Sequence, residues 1–167
     1  VKKDIAVIKK HHKEILRYAN LFYDAITDLR FEGRAAFGKN IRAIKRIMNF
    51  FRVKFLSHLN KEDVLLSFVS RHIPKFEPMS RMLFAEHKEI RVNLEVLEFL
   101  FEGLTRERAQ NKRAQMTEKL RDRGTYFTYL LQNHVRVEEE GIYKTLNEDL
   151  HPEEKKALVS DMKRTKL

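Results

Sequence analysis

The sequence predicts an all-α protein: an up-down-up-down antiparallel four-helix bundle with a short extra C-terminal helix. Three observations predict it. Apolar residues recur in alternating steps of three and four along four long stretches, which is the spacing of one helical face. Only 5 Gly and 3 Pro interrupt 167 residues, and 35% of the side chains are charged, which suits long helices better than many short strands. The chain also repeats itself: His-Lys-Glu-Ile occurs at 12–15 and 87–90, and His-x-x-x-Glu at 58–62 and 134–138. Two related helical hairpins packed face to face give such a bundle. A chain of this length is expected to be one domain, residues 1–167, with its bundle core over about 3–147.

The first helix is expected from about Lys3 to Leu29, on the seam Ile5, Ile8, His12, Ile15, Ala19, Phe22, Ile26. This register sets His12 among apolar residues and turns His11 about 100° away toward the flank. Gly33 and Gly38 bracket the expected connection to an antiparallel neighbour. The second helix carries Ile41, Ile44, Met48, Phe51, Phe55, His58, Glu62, Leu65 and Val69, with His58 and Glu62 the only polar members. His72 continues that seam, but ten residues past Glu62 means about 15 Å along the axis, too far to share a site.

Pro74 and Pro78 break the chain before a third helix, about Met79 to Leu104. Its seam is Leu83, His87, Ile90, Leu94, Leu97, Phe101, Leu104. The polar, basic stretch from Thr105 to Arg113 reads as a loop or an extra helical turn. A fourth helix is expected over about Ala114 to Leu146, on Met116, Leu120, Gly124, Phe127, Leu131, His134, Glu138 and Ile142. Gly124 lowers helix propensity but lets a neighbour approach closely. Pro152-Glu153-Glu154 then has the proline and acids that a helix start favours, opening a last helix over about 152–164. Leu158 and Met162 are expected to pack it onto the bundle.

The formal net charge is +10, which raises nucleic acid as a partner. Basic residues are spread over most solvated faces, however, which disfavours a dedicated nucleic-acid surface. No apolar run approaches the roughly 18 residues a membrane span needs. The start, Val1-Lys2-Lys3-Asp4, lacks a signal-peptide layout. Cysteine is absent, so there is neither a disulfide framework nor a thiolate metal site, and a cytoplasmic location is expected.

Four histidines and two glutamates replace apolar residues on the seams. Counted from the expected turns, His12 and His58 both sit about 28–30 Å from one end. His87 and His134 sit roughly 26–30 Å from the second connection, so all four converge on one layer. Each glutamate lies one turn from its histidine on the same face. A lone core histidine is more often structural than ligating, but six such groups in one apolar layer are strongly unfavourable without a cation. His12, His58, Glu62, His87, His134 and Glu138 are therefore the candidate metal ligands. They are too many for a closed tetrahedral zinc site, and calcium and magnesium prefer all-oxygen shells. The nitrogen-rich mixture favours iron over manganese or zinc, and the count suits two ions, with Glu62 and Glu138 bridging. A ferritin-like site needs Glu-x-x-His on two core helices; the only match is Glu148 to His151, at the margin of the last helix.

The order lone His, His-x-x-x-Glu, lone His, His-x-x-x-Glu resembles the hemerythrin-like (HHE cation-binding) family over nearly the whole chain. The resemblance implies the same six ligands, two iron ions with a bridging oxo or hydroxo group, and binding or sensing of O2 or a related small molecule. An enzyme acting on peroxide, superoxide or nitric oxide is the alternative, and a basic interaction module with a structural metal is a third reading. Oxygen carriers of the family have a further histidine where this chain has Leu83, and an aspartate where it has Glu139. Without that histidine both irons are expected to keep an open position, unless Glu139, Asp63 or a tyrosine (Tyr126, Tyr129 or Tyr143) fills one. Phe51, Phe55, Phe127 and Leu131 are expected to wall the site.

Overall fold

The four seams become four long rods. The computed structural model describes residues 2–31 and 34–164, which include no strand. α1 (Lys2–Phe31) is followed by α2 (Arg34–Phe50), a π-helical turn (Phe51–Phe55) and α3 (Leu56–His72). The last three run on as one rod, because Phe50, Phe55 and Leu56 all keep right-handed helical dihedrals. A short 3-10 turn (Pro74–Phe76) leads to α4 (Glu77–Arg106), then α5 (Gln110–Gly141), a single turn α6 (Leu146–Asp149) and α7 (Pro152–Arg164). α1 packs against α2 and α5, α4 packs against α3 and α5, and α7 lies on α3. This closes the expected four-rod ring with its extra C-terminal helix.

The helix boundaries differ from those expected at positions where local propensity alone does not decide the end. Gly33 lies outside the described residues, and Gly38 lies inside α2, which already starts at Arg34. One glycine lowers helix stability by only about 1 kcal/mol, which an adjoining helix-favouring run can absorb. α5 starts at Gln110 rather than Ala114, since Asn111, Lys112 and Arg113 tolerate a helix. It ends at Gly141 rather than Leu146, and the chain turns through Ile142–Thr145. The π-helical turn, in which Leu56 N–H bonds Phe51 O five residues back, had no counterpart in the seam reading. It falls one turn before His58, and such bulges are frequent beside functional residues.

Packing follows the seams closely. Every expected seam residue of α1 and α4 is buried; on α5 only Met116 is half-buried, and on the second rod only Ile41. Gly124 sits where a Cβ would come within 2.5 Å of Ile26 Cδ1 and 2.8 Å of Phe22 Cε1, so the absent side chain lets α1 and α5 close up. Leu158 is buried as expected, whereas the side chain of Met162 lies outside the described residues.

The buried side chains form two separate apolar clusters. The larger spans Ile15–Leu29 of α1, Leu59 and the residues before it, Ile90–Leu104 of α4 and Leu120–Leu131 of α5. The smaller holds Ile5, Ile8, Leu65–Val69, Leu83, Ile142, Tyr143, Leu146 and Leu158. On α1, α4 and α5 the candidate ligands fall between the two, and on the second rod His58 and Glu62 flank Leu59, where the larger cluster ends. A polar layer is thus sealed by hydrocarbon on both sides, which keeps water out and strengthens every electrostatic contact inside.

Candidate metal centre

All six predicted side chains meet in this layer, and all six are buried. α1 supplies His12, α3 supplies His58 and Glu62, α4 supplies His87, and α5 supplies His134 and Glu138. The i, i+4 spacing sets each His–Glu pair on one face, so each glutamate lies a turn nearer the smaller cluster. Donor atoms gather in two groups that could each hold a metal ion: Glu62, His87, His134 and Glu138 in one, His12, His58 and Glu62 in the other. Within each group they lie within 4.8 Å of one another, and Glu62 belongs to both.

Glu62 Oε1 is 2.8 Å from both His12 Nε2 and His58 Nε2, while its Oε2 is 3.6 Å from His87 Nε2. Glu138 Oε2 is 3.3 Å from His12 Nε2 and 3.7 Å from His134 Nε2, and its Oε1 is 3.7 Å from His87 Nε2. The two glutamates therefore reach across the layer in opposite senses. The Nε2 atoms of His87 and His134 face each other at 3.1 Å.

Three imidazoles are held from behind by carboxylates. His12 Nδ1 donates to Glu139 Oε1 at 3.0 Å, His87 Nδ1 to Asp63 Oδ1 at 2.6 Å, and His134 Nδ1 to Glu86 Oε2 at 2.9 Å. A carboxylate can only accept, so Nδ1 carries a hydrogen and Nε2 is the nitrogen turned inward, able to bind a cation once it gives up its own proton. Arg91 in turn holds Asp63 at 2.6 Å. Glu139 and Asp63, weighed from sequence as extra ligands, instead face the outer nitrogens of the imidazoles. The sequence did contain a signal for them. Asp63, Glu86 and Glu139 each adjoin a seam ligand, about 100° round the helix and facing the next rod.

The remaining assignments separate cleanly. Tyr126 and Tyr129 are 45% and 64% exposed, and Tyr126 bonds Glu89 at the surface. Tyr143 is buried, with its hydroxyl 3.3 Å from Glu62 Oε1. His72 bonds Phe68 O and stacks on the Phe68 ring, away from the layer. His11 is half-buried on the flank, and Glu148 and His151 are exposed. Phe51, Phe55, Phe127 and Leu131 are buried in the larger cluster, with Phe51 edge-on to Phe55 and Phe127.

Charge in the layer is tightly coupled. Burial pulls the His12 imidazole down, but contacts with Glu138 and Glu62 outweigh it and lift its pKa to about 10. His87 is likewise lowered by burial and raised more by Asp63, Glu138 and Glu62, to about 9. Burial pushes the Glu62 carboxyl up, yet His58 and His12 hold it well below the ordinary carboxylate range. Burial, with Glu138 and Glu62 alongside, raises the Tyr143 hydroxyl well above the usual tyrosine value.

The donor set fits metal cations. Both nitrogens of His58, Glu62 Oε2 and both oxygens of Glu138 are buried without a hydrogen-bond partner. His58 Nε2 lies near Glu62 but lacks the angle a hydrogen bond needs. Orphaned buried polar atoms are rare in folded proteins, and here several of them point into one layer. The sequence matches the family described as hemerythrin HHE cation binding domain over residues 3–146. The chain belongs to this family. Comparison with curated proteins gives no match. The family description and the buried His/Glu groups together make this a metal-binding bundle. Among the described residues no helix is long and apolar enough to cross a membrane.

Proposed function

We propose that this HHE bundle is a non-haem di-iron protein that binds or senses O2 or a related small molecule such as NO or peroxide. His12, His58, Glu62, His87, His134 and Glu138 hold the two ions, with Glu62 and Glu138 between them. The observation that carries the reading is the pair of donor groups sharing Glu62 inside a sealed polar layer. Nitrogen-rich sites with a few carboxylates suit iron, and two buried carboxylates suit a pair of positive ions. Bound iron would supply reversible ligand binding and one-electron chemistry.

The residues supply the rest. Asp63, Glu86 and Glu139 fix the rings of His87, His134 and His12 and make them better donors. The two apolar clusters exclude bulk water. A cleft of about 480 Å³ lined by His11, Glu14, Lys54, Ser57 and His58 leads from the surface to the edge of the layer and offers a small molecule a route.

Elemental analysis with optical spectra of anaerobic and air-exposed protein tests the reading. It predicts two irons per chain and a visible spectrum in air that bleaches reversibly under vacuum. Steady turnover of peroxide without a reversible spectrum would favour the enzymatic alternative. A protein that takes up no iron would overturn both.

A further inference from the structure

We propose that the phenolic oxygen of Tyr143 is a further metal ligand of the His12–His58 half of the centre. The inference rests on the dinuclear reading above and adds a residue to it. Its starting point is one carboxylate oxygen, Glu62 Oε1, which Tyr143, His12 and His58 all approach.

Tyr143 stands on the His12 side of the layer. Its hydroxyl is 3.3 Å from Glu62 Oε1, the same oxygen that lies 2.8 Å from His12 Nε2 and His58 Nε2. Its ring is 5.9 Å from the His12 ring, and the side chain is buried. Ligands held about 2.1 Å from a cation in an octahedral shell stand about 3 Å from their neighbours. The 3.3 Å between the phenol oxygen and Glu62 Oε1 is close to that spacing.

The chain path explains how it gets there. α5 ends at Gly141, where a Cβ would come within 2.4 Å of Met79 Sδ, so the end of α5 abuts the start of α4. The turn that follows brings Tyr143 into the smaller cluster, which also holds Leu83. Leu83 offers no donor there, and Tyr143 brings a hard oxygen suited to a ferric ion.

Without a cation, burial and two carboxylates keep the hydroxyl protonated. Ligation would require the phenol to give up that proton, which a bound di- or trivalent ion would favour. On loading, the O–H bond gives way to an O–metal bond and the proton leaves to solvent.

The test is resonance Raman and visible absorption of the whole chain, loaded with ferrous iron and oxidised to iron(III), with iron counted in the same samples. Expected are a phenolate-to-iron charge-transfer band and phenolate ring modes. Those modes shift when ring-deuterated tyrosine is incorporated, vanish in Tyr143→Phe and persist in Tyr126→Phe. The isotope shift needs no substitution, so it decides tyrosine ligation even if Tyr143→Phe folds poorly. Iron-loaded protein without phenolate modes, or modes that survive Tyr143→Phe, would overturn the Tyr143 assignment alone. Failure to take up iron would overturn the dinuclear reading and this assignment with it.

Discussion

Glu62 Oε1 lies 2.8 Å from His12 Nε2, joining α3 to a residue fifty positions earlier on α1. The same carboxylate belongs to both donor groups. Glu62→Ala should therefore lower metal content from two ions per chain to less than one, read by elemental analysis. In chelated protein it should also destabilise the fold by about 3–5 kcal/mol in urea unfolding, because a charged imidazole loses its buried partner. Metal content unchanged from the parent would contradict the shared role of Glu62.

The carboxylates behind the rings act through them. Glu86→Ala, Asp63→Ala and Glu139→Ala should each weaken metal affinity roughly 10–100-fold in a chelator competition. His11→Ala and His72→Ala should leave metal content unchanged, since neither belongs to the two donor groups and His72 is tied to Phe68 O. Equal losses in all five variants would mean that general destabilisation, and not ring orientation, sets affinity.

Gly124 probes the packing that brings α1 and α5 together. Gly124→Ala places a Cβ 2.8 Å from the buried Phe22 ring, so it should cost about 1–3 kcal/mol in urea unfolding despite the better helix propensity of alanine. Metal stoichiometry should stay the same.

The pH dependence of the metal-free chain follows from His12 and His87. Their pKa values rise from 6.5 to about 10 and about 9, so the folded chain binds more protons than the unfolded one across that window. Their contribution to stability is full below 6.5 and is lost as pH climbs through about 9 and about 10. Glu62, held low, adds stability above its ordinary value of 4.5 that disappears on acidification. Urea midpoints of chelated protein should fall on the alkaline side of neutrality. Metal affinity should rise over the same range, because each ion displaces protons from the ligand imidazoles.

The fold was legible because each rod buries one narrow face, and the seams from Ile5 to Ile26 and from Leu83 to Leu104 record it directly. The convergence of the histidines was legible for the same reason: a polar residue on a buried seam has few places to go. Helix ends were less so, since Gly38 can remain helical while Gly141 ends α5. Tyr143 escaped the periodicity because it lies beyond that end. Helical spacing extends the α5 seam from Glu138 to Ile142, and only the turn after Gly141 rotates the next residue inward. The partners of the outer nitrogens depend on which flank faces which rod, and a single helix does not carry that information.

Native mass spectrometry of the intact chain, loaded with ferrous iron and desalted, tests the central claim most directly. Two cations held together by six side chains predict a folded species heavier than the metal-free chain by two iron ions, absent in Glu62→Ala. A folded parent chain that carries no iron, or only one, would contradict the account.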